Sequence, residues 1–127
     1  MVYVDGFNLF YGLLKGTPNM WLDLELFVRS LLTSDAYENR ADAFVLVSGD
    51  ADHAAALSAV RRRLGKKTVV FNPHDGECVE LRKLSTYYRN IPRDLPGKCQ
   101  LPDEVTLANG RVVHRPAAWM PCRPGGS

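Results

Sequence analysis

Short unbroken apolar runs alternate along this chain with longer stretches whose apolar positions recur at helical spacing. Val2-Tyr3-Val4, cut off by Asp5-Gly6, reads as a buried strand ending in a turn, Ala43 to Val47 as a strand buried on both faces, and Thr68 to Phe71 as the next strand. Between the first two, Leu24, Phe27, Val28, Leu31 and Leu32 fall at helical spacing behind Asp23, which can cap a helix start. A short polar helical piece is expected over roughly 34–40. His53, Leu57, Val60 and Leu64 make a second apolar stripe over about 52–64, which Gly65 ends. Val79 to Tyr88 fits a further amphipathic helix. Strand, helix, strand, helix in this order predicts an α/β fold in which a parallel sheet of three strands is joined by right-handed crossovers.

Beyond Pro92 the texture changes. Prolines become frequent, and Val105 to Ala108, Asn109-Gly110 and Arg111 to His114 spell a hairpin about a type I′ turn. We therefore expect a domain over 1–92 and a C-terminal extension over 93–127 packed on it, anchored by Trp119 and frayed over 123–127.

The bulk composition narrows the class. With 127 residues, 46% of them hydrophobic, the chain is of one-domain size. Sixteen Lys and Arg against fourteen Asp and Glu leave +2, which neither demands nor excludes a nucleic-acid partner. No apolar run approaches the ~18 residues of a membrane span, and the first residues lack the pattern of a secretory signal. The expected location is the cytoplasm, with no membrane partner. Cys78, Cys99 and Cys122 are widely spaced without a CxxC pair, which argues against a disulfide framework or a zinc knuckle, even with His74 and His114 added.

The chemistry gathers where strands should end. Asp5 follows the first strand, and Ser48-Gly49-Asp50-Ala51-Asp52 follows the second. In open parallel sheets ligands bind outside the carboxyl ends of the strands. If these two strands are neighbours, Asp5, Asp50 and Asp52 converge, with Asn8 one helical turn from Asp5. Clustered carboxylates repel unless a positive charge sits between them, and oxygen donors suit Mg²⁺ or Mn²⁺. Such a site serves phosphodiester hydrolysis without a protein nucleophile, with Ser48 placed to orient a water or a phosphate. Either Asp50 or Asp52 alone would be read as a helix cap. His53 lies on the apolar stripe and reads as a packed or pocket-edge histidine rather than a base.

These residues carry a resemblance. VYVDGFNLFY (2–11), VLVSGDADHAAAL (45–57) and GKKTVVFNP (65–73) resemble the NYN domains, members of the PIN-like group of metal-dependent ribonucleases. LPDEVTLANGRVVHRPAAW (101–119) is similar to the ending of a bacterial branch of that family. The resemblance implies a PIN-like, Rossmann-like sheet and a metal-dependent endoribonuclease acting on single-stranded or structured RNA. It implies that Asp5 and Asp50 are metal-binding carboxylates, with Asn8, Ser48 and Asp52 lining the same site. One departure stands out: a further strand and helix bearing another acid, usual in the family, is missing between Leu32 and Asp35. Asp35 or Glu38 could replace that acid, although a solvated face is the simpler role for both. The thin sheet that remains would leave a strand edge open to homodimerisation.

Arg61, Arg62, Arg63, Lys66 and Lys67, with Arg82, Lys83, Arg89 and Arg93 further on, offer phosphate contacts. From this set Arg61, Arg62, Lys66, Arg82 and Lys83 are the expected nucleic-acid-binding residues, though a basic helix end also suits the helix dipole. The competing reading is a non-catalytic RNA-binding or scaffold relative, consistent with the missing acid. A haloacid-dehalogenase-like phosphohydrolase needs a DxD pair after its first strand, where this chain has Asp5-Gly6-Phe7. A dinucleotide-binding role lacks the GxGxxG motif.

Overall fold

The computed structural model describes residues 1–34 and 43–119. Apart from Ser34, the polar helical piece expected over roughly 34–40, with Asp35 and Glu38, falls outside these residues, as do Cys122 and the expected frayed end. Strands β1 (Val2–Val4), β2 (Ala43–Val47), β3 (Lys67–Asn72) and β4 (Tyr87–Asn90) form one parallel sheet in that order. The registers place Val4 beside Val47 and Val47 beside Phe71. The carboxyl ends of β1, β2 and β3 therefore lie side by side.

The helices are α1 (Gly6–Leu9), continued by a π-helical turn over Phe10–Leu14, then α2 (Leu24–Ser34), α3 (Ala54–Arg63) and α4 (Val79–Leu84). Asp23 caps α2 as expected, accepting from the Leu26 N–H at 3.0 Å. Because side chains alternate across a strand, the sheet has two cores. Val45, Val47, Val69 and Phe71 pack with Phe27 and Leu31 of α2 and with Leu9, Leu13 and Leu14. Leu46 and Val70 pack on the other face with Leu57 of α3 and Leu81 of α4. Each such burial contributes roughly 1.5–3 kcal/mol, so the sheet is held from both sides.

That division has a topological consequence. All three crossovers step across the sheet in the same direction, yet α2 covers the face opposite α3 and α4. The first crossover is therefore of opposite hand to the next two. About 98% of such units are right-handed, so the β1 to β2 connection through α2 is the exception, and among the described residues β1 is the edge strand.

The sheet has four strands where the sequence pattern suggested three. The helix expected over Val79 to Tyr88 stops at Leu84, with Ser85 already extended at φ −94°, ψ 143°. The Thr68 hydroxyl donates to the Leu84 carbonyl at 2.8 Å, and the Thr86 N–H donates to the Thr68 carbonyl at 2.7 Å. The β-favouring Thr86-Tyr87-Tyr88 run then pairs with β3. Leu64, expected on the apolar stripe, is exposed just past the end of α3.

The extension begins with α5 (Leu95–Lys98), after which Gln100 bridges to Leu22, the Asp23 N–H donates to the Cys99 carbonyl, and the Leu101 N–H donates to the Trp21 carbonyl. Trp119 lies 6.0 Å from Trp21, ring centre to ring centre. Strands β5 (Glu104–Thr106) and β6 (Val112–His114) make the hairpin. Its turn is not the expected type I′: the Gly110 N–H bonds to the Leu107 carbonyl, so the turn is centred on Ala108-Asn109, with Gly110 following at φ 84°. Cys78 and Cys99 are free thiols. No helix among the described residues is long and apolar enough to cross a membrane.

Candidate functional site

Two strand ends are tied together by side chains. The Asp5 N–H donates to the Val47 carbonyl, extending the ladder by one residue, and Asp5 then caps α1 by accepting from the Asn8 N–H at 3.1 Å. Asn8 returns the link: its Oδ1 accepts from the Gly49 N–H at 2.7 Å. Ser48 is fully buried; its hydroxyl donates to Asp5 Oδ2 at 3.3 Å and accepts from the Asp50 N–H at 3.0 Å. Asp50 caps the following 3₁₀ turn, Ala51–His53, by accepting from the Asp52 N–H at 2.9 Å. Both aspartates are thus N-caps, of two different helices, as well as neighbours across one loop.

Asp5 and Asp50 share a cleft of about 240 Å³ with Asn8, Phe7, Tyr11 and His74. Asp52 does not line it. The expectation of three converging carboxylates rested on the two strands being neighbours, which does not by itself bring Asp52 to the same side as Asp50. Asp50 is the extended N-cap at φ −87°, ψ 122°, whereas Asp52 already lies inside the 3₁₀ turn, so the two side chains are set by different backbone geometries. Among the described residues no group of three or more His, Cys, Asp or Glu side chains is placed to share one metal ion.

Two residues join the site that spacing did not assign to it. His53 Nε2 lies 2.8 Å from Asp5 Oδ2, and its ring meets the Tyr3 ring edge-on at 5.6 Å. It is a pocket-edge histidine, as expected, but one that holds a carboxylate. Burial pushes the Asp5 carboxyl up; hydrogen bonds from His53, the Asn8 N–H and Ser48 outweigh this and hold it below its ordinary value. His74 enters because the loop after β3 is held by Asn72, whose Oδ1 accepts from the His74 N–H at 2.9 Å. Its position just beyond the third strand was the available signal.

The expected nucleic-acid-binding residues stand elsewhere. Helix α3 starts at the carboxyl end of β2 and runs back along the sheet, so Arg61, Arg62 and Lys66 lie at the opposite end, about 15 Å away for ten residues of helix. The Arg62 Nε donates to the Ser58 hydroxyl at 3.1 Å, and Arg82 pairs with Glu77 at 2.8 Å near the end of α4, beside Lys83. On the site's own side are Lys15, just past the π-helical turn, and Arg93, which donates to the Pro73 carbonyl at 2.7 Å.

Comparison with known proteins identifies the chain at the level of family. Over 34 residues, 26% of this chain, it is 53% identical to the 6-hydroxy-3-succinoylpyridine 3-monooxygenase of Pseudomonas putida. That stretch spans only 11% of the monooxygenase. No solved structure matches the chain. The family model for the NYN domain matches residues 21–91, more than half of the length. With its parallel sheet and acidic strand ends, this chain belongs to the NYN domain family.

Proposed function

We propose that the protein is a divalent-metal-dependent endoribonuclease. The observation that carries this is the pairing of Asp5 and Asp50 at adjacent strand ends in one cleft, locked by Ser48 and Asn8. The donors fit a hard cation: they are carboxylate oxygens, and Mg²⁺ is commonly held by one or two carboxylates plus phosphate oxygens rather than by a full protein cage. Asp5 and Asp50 would hold Mg²⁺ or Mn²⁺. When bound, the ion supplies Lewis-acid stabilisation of phosphoryl charge and an acidified water. Ser48 and Asn8 keep the two carboxylates in fixed relation, which matters because misplacement by an ångström can cost a hundredfold in rate. His53 keeps Asp5 ionised and oriented. Asp52, outside the cleft, adds negative charge on the turn. Arg61, Arg62, Lys66, Arg82 and Lys83 would meet only an RNA long enough to run along the α3 and α4 side of the molecule. The proposed setting is the cytoplasm.

A second reading, a non-catalytic RNA-binding relative, is favoured by the lack of a third acid among the described residues. Labelled single-stranded RNA incubated with Mg²⁺ or Mn²⁺, with and without chelator, separates the two. Chelator-sensitive cleavage, absent in Asp50→Asn, is expected; intact RNA that is nevertheless bound supports the second reading. Cleavage unchanged by chelator removes the first.

A further inference from the structure

The cleft has an aromatic wall that the chemistry at Asp5 and Asp50 does not use. Phe7 is 80% exposed and Tyr11 is 56% exposed. Their rings are nearly parallel, 6° apart in plane, with centres 6.3 Å from each other. Both line the cleft beside the two aspartates. Phe10, packed on the core, meets Tyr11 edge-on at 5.1 Å and so fixes its plane. Lys15 Nζ stands 5.0 Å from the Tyr11 ring centre. Phe7 and Tyr11, four positions apart, share one helical face, and Lys15, just past the helix end, follows with its Nζ over the Tyr11 ring. The geometry is stiffened by the π-helical turn, where the Lys15 N–H donates to the Phe10 carbonyl at 2.8 Å.

We infer that Phe7 and Tyr11 form a base-stacking platform, ended by Lys15 at a phosphate, that receives unpaired nucleobases of a single-stranded RNA and leads its backbone to Asp5 and Asp50. An exposed phenylalanine gains nothing from water, and an exposed ring pair held parallel offers π faces to a flat partner. Bases in a duplex have their faces covered, whereas those of a single strand are free to stack on aromatic side chains. Two carboxylates alone repel a phosphodiester. Stacking two or three positions away supplies binding that does not depend on that charge, and Lys15, its Nζ beside the Tyr11 ring, is a cation within reach of the backbone that joins the stacked bases. The location of the scissile bond rests on the nuclease reading; the stacking itself does not.

The test uses the full chain in chelator, so that nothing is cut, with a uridine-rich 12-mer RNA carrying one 2-aminopurine, and the same sequence as a blunt duplex. The single strand is expected to bind with quenching of the 2-aminopurine emission, and the duplex to bind at least tenfold more weakly. Phe7→Leu and Tyr11→Leu, which keep apolar bulk but lack a π face, are each expected to lose roughly tenfold in affinity and most of the quenching. Tyr11→Phe is expected to behave as wild type. Because both rings are exposed, the thermal unfolding of all variants should be unchanged. No binding of the single strand by wild type, wild-type affinity in both Leu variants, or equal affinity for duplex and single strand would each overturn the platform. A change in self-association without a change in RNA binding would reassign the rings to a protein contact and overturn it too. Cleavage is scored separately with Mg²⁺: quenching without cleavage would refute the nuclease and leave the platform standing, and cleavage untouched in both Leu variants would do the reverse.

Discussion

His53 Nε2 sits 2.8 Å from Asp5 Oδ2, a contact between residues 48 positions apart that joins the start of the second helical layer to the end of the first strand. Both side chains are mostly shielded, with 23% and 18% of their surface exposed. Removing the imidazole leaves Asp5 with one hydrogen bond fewer and Tyr3 without its ring contact. His53→Ala should lower the stability of the metal-free protein by about 1 kcal/mol. Urea unfolding in chelator measures this; an unchanged midpoint would mean that the contact contributes nothing net.

The same carboxyl predicts a pH dependence. Burial raises its pKa, but His53, the Asn8 N–H and Ser48 together bring it below the ordinary 3.8. A depressed folded-state pKa adds stability that is present above the unfolded value and is lost as pH falls through the folded one. In chelator, stability should therefore decline as pH drops below about 4. Asp5→Asn, having no proton to take up, should show a shallower decline. Equal slopes for the two proteins would show that Asp5 is not linked to acid unfolding.

Asp50 separates capping from catalysis. Its carboxylate accepts from the Asp52 N–H, a bond that an asparagine oxygen can also accept. Asp50→Asn should thus leave metal-free stability unchanged or slightly raised, since one of several neighbouring negative charges is removed, while abolishing cleavage and leaving RNA bound. Asp50→Ala should cost about 1 kcal/mol through loss of the cap. A large fall in melting temperature for the asparagine variant would make Asp50 a structural residue first.

Gly49 is a steric pivot of the site. A Cβ there would meet Asn72 Oδ1 at 2.1 Å, and Asn72 is only 2% exposed. Asn72 cannot readily yield, because it bonds to the Gly76 carbonyl, the Tyr88 hydroxyl and the His74 N–H. Gly49→Ala should destabilise by about 1–3 kcal/mol, as overpacking does, and displace His74. Chemical denaturation and the His74 side-chain NMR signals report the two effects. A stable variant with an unmoved His74 would show that the loop can shift at no cost.

The position of β1 at the edge of the described sheet predicts an association. Met1 O and the Asp5 N–H bond to β2, so with the period of two along a strand the backbone groups of Val2 and Val4 point away from it. An apolar groove of about 410 Å³, lined by Val2, Val4, Leu24, Val28 and Leu32 among others, runs beside this edge. A strand and helix added between Leu32 and Asp35 could seat that strand on the edge, and the crossover through α2 would then have the usual hand. Such a chain should be monomeric, hold divalent metal more tightly and cleave faster than this one, which should self-associate with rising concentration unless Val2→Lys blocks it. Sedimentation and metal titration of the three proteins test this; a monomer at all concentrations, or equal metal affinity with and without the insertion, would refute it.

Much of the fold follows from local pattern. The apolar runs at 43–47 and 68–71 are the buried strands their pattern implies, and Asp23 and the helical spacing behind it set α2; the run at 2–4 is a strand but not a buried one, with Val2 43% and Tyr3 51% exposed, because β1 pairs with β2 on one side only among the described residues. The motif residues Asp5, Asn8, Ser48 and Asp50 meet because β1 and β2 are parallel neighbours with level carboxyl ends; element order implied the parallel direction, and the pairing of these two strands was the condition that the structure supplied. What the sequence could not express is direction in space beyond a single element. Whether Tyr87 and Tyr88 end a helix or form β4 depended on Thr68, which lies 18 positions before Thr86 and ties to it by hydrogen bonds. Asp52 left the cleft because the chain turns helical at Ala51, and the basic cluster fell at the far end because α3 runs antiparallel to the strand it follows. His53, His74 and the Phe7 and Tyr11 pair became part of one site only when separate strand ends were packed side by side: hydrogen-bond reach and ring contact are set by distances that tertiary packing decides.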